Sequence, residues 1–88
     1  MRYKVEVRPK VLKDMRRLPA KDQERIEQAI DALAGDPRPA GCEPVKTAER
    51  GSYRIVVGRY RVIYLVRDDL VLVMRVSKRD ERTYRELK

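Results

Sequence analysis

The side chains best suited to chemistry in this chain are arginines set inside apolar runs. Arg54 and Arg61 interrupt two successive stretches of "SYRIVVGRYRVIYLV", Arg75 interrupts a third, and Lys78, Arg79, Arg82 and Tyr84 follow directly. An arginine fork grips phosphate with two parallel hydrogen bonds and keeps its charge at any working pH. In mid-strand such a charge is costly unless it serves a site or has a partner. Two roles are therefore open for Arg54 and Arg61: a floor that cradles an RNA phosphate, or ion pairs with Asp or Glu at a sheet edge. Tyr84 is open in the same way, to stacking on a base, to proton transfer, or to helix packing beside Leu87.

The charge distribution points in the same direction. The chain carries 22 Lys and Arg against 14 Asp and Glu, a net +8. Residues 1–49 hold 11 basic and 9 acidic side chains, whereas residues 50–88 hold 11 and 5. A local positive field of that size attracts nucleic acid, anionic lipid or an acidic protein partner; without a partner it is a solvated surface. Histidine is absent and Cys42 is the single cysteine. The commonest general base and the commonest metal ligand are thus missing, and neither a zinc site, a cofactor nor an internal disulfide is expected. One reduced thiol suits a cytoplasmic protein. No apolar run approaches the ~18 residues of a membrane span, and the N-terminus lacks the apolar core of a signal peptide.

The elements that must position these residues can be read from periodicity. At 88 residues the chain is expected to form a single α+β domain, residues 1–88. "YKVEV" alternates as a half-buried strand with Tyr3, Val5 and Val7 on one face. Pro9 opens a helix whose stripe is Val11, Leu12, Met15 and Leu18, and Pro19 closes it. A second helix, capped by Asp22, carries Ile26, Ala29, Ile30 and Leu33 and ends at Gly35. Residues 35–51 read as a loop. Strands at 52–57, 60–67 and 70–76, joined by two-residue turns at Gly58-Arg59 and Asp68-Asp69, complete a four-stranded sheet. The written-out register pairs Val56 with Arg61 and Arg54 with Ile63, then Arg61 with Val76 and Val62 with Arg75. On that register Arg54, Arg61, Leu72, Met74 and Val76 share one face, and Arg75 lies on the other. Ser77 and Asp80 resemble a capping box, so a short C-terminal helix is expected from about 78 to 87.

These motifs carry a resemblance. "SYRIVVGRYRVIYLV" resembles the central hairpin of the RelE/ParE toxin superfamily, "LPAKDQERIEQAIDALAGDPRP" its second helix and Asp-Pro exit, and "VSKRDERTY" its basic closing segment with a helical tyrosine. The match runs through nearly the whole chain in the right order and lies nearer the RelE branch. It implies a toxin of a type II toxin–antitoxin pair with a RelE-like fold: strand, helical hairpin, three antiparallel strands, C-terminal helix. Implied partners are a small acidic antitoxin in a hetero-oligomer, and the ribosome with its mRNA. Implied site residues are Arg54, Arg61, Arg79 and Tyr84, with Lys46, Lys78 and Arg82 as further RNA contacts. Val56 stands where many members have a second basic residue, Ser77 replaces the usual glycine, and Lys78 stands where a histidine is often found.

For the RelE branch the resemblance implies mRNA cleavage in the ribosomal A site without a metal. A ribose 2′-OH attacks the adjacent phosphate and leaves a 2′,3′-cyclic phosphate and a 5′-OH. Arg61 and Arg79 suit the charge clamp. Proton transfer then falls to Lys46, Lys78 or Tyr84, each needing neighbouring cations to lower its pKa. The alternatives are a ParE-type inhibitor of DNA gyrase, or a member that binds antitoxin or RNA without cutting.

Overall fold

Alternating apolar residues in the C-terminal half become three long strands, and everything else packs on them. The structure, a computed structural model, describes residues 2–78. The elements are β1 (Lys4–Val7), α1 (Pro9–Arg16), α2 (Ala20–Ala32), β2 (Glu43–Pro44), β3 (Ser52–Val57), β4 (Tyr60–Arg67) and β5 (Leu70–Lys78). They form one sheet in the order β1-β5-β4-β3-β2. β3, β4 and β5 are antiparallel neighbours, while β1 joins β5 in parallel, Val5 beside Val71 and Val7 beside Val73. A parallel partner needs a long crossover, and the helical hairpin together with β3 and β4 provides it.

The α+β class holds, with one strand more than expected. Within the 35–51 loop, Glu43 and Pro44 pair with Arg54 and Tyr53 and form a fifth, edge strand. Pro44 is tolerated there because an edge strand can present a residue without an N–H to solvent.

Pro9 at the first helical position starts α1, and Lys13 and Arg16 in its last turn complement the helix dipole. Val11 and Met15 are buried, but Leu12, expected in the same stripe, is 43% exposed and lies outside the buried one. Asp22 does not cap α2. Pro19 occupies the N-cap, and Asp22 sits in the first turn, where its carboxylate accepts a hydrogen bond from the Tyr60 hydroxyl at 2.9 Å. At the other end the helix tightens: Leu33, Ala34 and Gly35 bond to the carbonyls three residues back, so Gly35 does not adopt the left-handed cap.

Ile26, Ile30 and Leu33 pack with Ile55, Val57, Tyr60, Val62, Tyr64, Val66, Val71, Val73 and Val76 in one core. Ile26 is fully enclosed, so its truncation to alanine would cost about 2–5 kcal/mol. The loop after α2 is held on this face. Tyr64 is buried and donates to the Pro37 carbonyl at 2.7 Å, its ring stacks on Tyr53 at 6.1 Å, and Arg38 lies over Tyr53 with its Nε donating to the Tyr53 hydroxyl.

The hairpin turns fall where expected. Gly58 has φ +58 at the first central position of its turn, the pattern of a type II′ hairpin, and Asp68 has φ +54 in the next. β3 and β4 pair as read, Val56 with Arg61 and Arg54 with Ile63. The second hairpin differs. The ladder runs regularly from Arg67–Leu70 to Tyr64–Val73 and then shifts, so Ile63 faces Arg75, Val62 faces Val76 and Arg61 faces Ser77. Met74 is the extra residue of a β-bulge. Beyond it every side chain of β5 changes face relative to the uninterrupted register. Val76 therefore enters the core, and Arg75 moves to the face of Arg54 and Arg61. β5 also continues to Lys78, so Ser77 is a strand residue and does not cap a helix. The rest of the expected C-terminal helix lies outside the described residues.

Candidate nucleic-acid interface

The sheet has two unlike faces. One carries the core and the helices. On the other, paired residues place Glu43, Arg54, Ile63 and Arg75 in one row, and Val56, Arg61 and Ser77 in the next. Arg61 is thus diagonal to both Arg54 and Arg75, a separation of about 7–8 Å between such neighbours. Arg61 is half-buried near the start of the central strand and Arg75 is exposed. Arg54 is half-buried, and its Nη2 donates to the Glu43 carboxylate at 2.6 Å. Both roles open to Arg54 are therefore compatible: it is ion-paired at the edge and it belongs to a basic face. With its side chain 37% exposed and that of Glu43 62% exposed, the pair is solvated and weak, worth about 0–1 kcal/mol. A phosphate can compete for that guanidinium or share it.

Longer basic side chains and short apolar ones alternate here in a way that suits a polyanion. Val56, 53% exposed, stands across from Arg61, and Ile63 lies between Arg54 and Arg75. The Arg54 and Arg75 guanidiniums can fold over Ile63 and present their N–H groups outward, whereas the Nε of Arg61 is itself buried. Among the described residues no cluster of His, Cys, Asp and Glu could hold a metal ion. Nor is any helix among them long and apolar enough to cross a membrane.

The chain has known relatives. The family model described as "ParE toxin of type II toxin-antitoxin system, parDE" matches residues 5–83. The chain belongs to the RelE/ParE superfamily of type II toxins. The toxin is 31% identical over 88 residues to the RelE1 protein of Methanocaldococcus jannaschii, with 97% of this chain and 98% of that protein covered. Among solved structures it is similar to RelE in the archaeal RelE–RelB complex of Pyrococcus horikoshii, at 26% identity, TM-score 0.81 and coverage of 92% and 99% of the two chains. It also shares the fold of a mutant E. coli RelE in complex with an antitoxin RelB peptide, at 24% identity, TM-score 0.79 and coverage of 100% and 96%.

The toxin brings some of the expected site residues together and separates others. Arg54 and Arg61 share one face on adjacent strands. Lys78, the last residue of β5, pairs with Tyr60 and so belongs to the opposite face, although its neighbour Ser77 lies across from Arg61. Lys46 is exposed in the turn after β2. The backbone at Val45 bonds to Ser52, which puts Lys46 about five residues, or ~16 Å, along the sheet from the level of Arg61. That turn and Arg61 do not form one local cluster. Arg79, Arg82 and Tyr84 lie outside the described residues. Two residues at the site were not foreseen. Glu43 was hidden in a stretch that reads as loop, and Arg75 was assigned to the wrong face by the unseen bulge. An arginine in an otherwise apolar run was the only signal for Arg75.

Proposed function

We propose that the toxin is a ribosome-dependent endoribonuclease that cleaves mRNA in the cytoplasm. The observation that carries this reading is the placement of Arg54 and Arg61 as diagonal neighbours on the face away from the helices, with Arg61 half-buried in the central strand. The 2′-oxygen of the nucleotide before the break attacks phosphorus. The O2′–P bond forms, the P–O5′ bond breaks, the 2′ proton passes to a base and the 5′-oxygen takes up a proton. A five-coordinate phosphorane carries extra negative charge on its equatorial oxygens. Arg61 is the principal clamp for that charge, with Arg54 and Arg79 flanking it. The arginines supply the positive charge that a metal supplies elsewhere. Arginine is too weak a base and Lys78 belongs to the opposite face, so the proton goes to Tyr84, with Lys46 serving RNA binding at the far end of the sheet. Alignment of the 2′-OH with its phosphate is left to the ribosome.

The toxin is held by a small acidic antitoxin that covers the apolar part of the open face and neutralises the arginines. The RelE–RelB complex of Pyrococcus horikoshii among its structural relatives supports an antitoxin partner.

Mapping mRNA 5′ ends on ribosomes after induction tests the proposal. Wild-type toxin should produce new 5′-OH ends. Arg61→Ala should lower the cleavage rate about 10²–10³-fold with the fold kept. Arg67→Ala should keep activity, because Arg67 sits at the other end of the sheet in an exposed pair with Glu49. The matched family bears the ParE name, which favours one second reading, inhibition of DNA gyrase. Growth arrest with intact mRNA and gyrase trapped on cleaved DNA would establish that reading instead.

A further inference from the structure

We infer that Arg75 is a third phosphate-binding residue of the open face, placed there by the β-bulge at Met74, and that it grips the RNA backbone on the side of Arg61 opposite Arg54. This rests on the nuclease reading above and extends its site. In an uninterrupted ladder Arg75 would face Val62, which is fully buried among the helices. The bulge instead pairs Arg75 with Ile63 and leaves it exposed. Arg54, Ile63 and Arg75 then form one row across three strands. Arg54 and Arg75 are two strands apart, about 10 Å, and Arg61 is diagonal to both. Among the described residues Arg75 has no ion pair, whereas Arg54 is shared with Glu43. Arg75 is thus the arginine of the row whose charge no described carboxylate offsets. The ligand that matches three cations in this order is a single-stranded phosphodiester backbone, with the scissile phosphate on Arg61 and the neighbouring phosphates on Arg54 and Arg75. Bulges of this kind re-aim a side chain beside a functional site.

The probe is a short single-stranded RNA with methylated 2′-hydroxyls, which binds without being cut. Its affinity for the purified toxin is measured by fluorescence anisotropy across a salt series. Losing one phosphate contact should reduce the slope of log affinity against log salt by about 0.7. Arg75→Ala should show that reduction and a several-fold weaker affinity, and Arg75→Lys should recover most of both. Lys21→Ala, on the exposed side of α2 behind the sheet, removes the same charge and should leave the slope unchanged. On ribosomes, Arg75→Ala should raise KM several-fold with kcat nearly unchanged. If Arg75→Ala behaves as Lys21→Ala while wild type still cleaves mRNA, the inference fails and the nuclease reading stands. The same holds if Arg75→Ala weakens only antitoxin binding. If wild type neither cleaves mRNA nor binds the probe, both fail.

Discussion

The Arg54 guanidinium donates to the Glu43 carboxylate at 2.6 Å, and this contact joins the arginine row to the last strand of the sheet. A carboxylate at that point opposes any incoming phosphate. Glu43→Gln should therefore tighten binding of single-stranded RNA by about two- to fivefold, up to ~1 kcal/mol. Arg54→Ala should weaken it. Anisotropy at low salt reads both changes; equal affinities for Glu43→Gln and wild type would show that the pair does not compete with RNA.

Val56 faces Arg61 and is 53% exposed, so a longer cationic side chain fits without repacking. Val56→Lys should alter stability by no more than about 0.5 kcal/mol. Ribosome-dependent cleavage should rise several-fold, because a fourth cation joins the face. An unchanged rate would mean that RNA does not pass over β3 at this level.

Gly51 has φ +91, and a Cβ there would lie 2.7 Å from the Val66 carbonyl oxygen. Its own carbonyl accepts from the Val66 N–H at 2.9 Å. Gly51→Ala must strain the backbone or move it away from β4, at a cost of about 1–3 kcal/mol. Urea denaturation should show that loss, and the start of β3, with Arg54 two residues into it, should loosen with it.

Two tyrosines make stability depend on alkaline pH. Burial raises the Tyr64 pKa well above the ordinary 10.0, and the hydrogen bond to Asp22 raises that of Tyr60. The folded protein therefore keeps phenolic protons that the unfolded chain releases. Their contribution is complete below about pH 10 and is lost as pH rises through the higher folded values. The melting temperature should fall steadily above about pH 10. Tyr64→Phe should make that fall shallower; an unaltered slope would assign it to other groups.

Most of the architecture was legible because it rests on local rules. Alternation at 52–57 and 60–67, with Gly58 supplying a positive φ between them, settles the β3–β4 pairing residue by residue. The spacing of Ile26, Ile30 and Leu33 gives the buried stripe of α2 and its end. Arg54 and Arg61 share a face as a direct consequence of that hairpin. The errors have local causes as well. Asp22 looks like a cap by residue type, but the chain places the cap three residues earlier, at Pro19, and gives the Asp22 carboxylate to Tyr60, which is 38 residues away. Glu43-Pro44 reads as loop because an edge strand of two residues leaves no periodicity.

By itself the sequence determined the elements, the first hairpin and the presence of arginines within apolar runs, since periodicity, turn chemistry and charge are properties of neighbouring residues. Tertiary structure alone decided the parallel seat of β1 on β5, the edge strand carrying Glu43, and the bulge at Met74. A bulge has no local signature here. It arises because Val73 and Val76, three residues apart, are both buried in the core, and a strict alternation of faces cannot place both there. Inserting Met74 between two regular ladders satisfies both valines. The same insertion turns Arg75 away from the core and onto the face of Arg61.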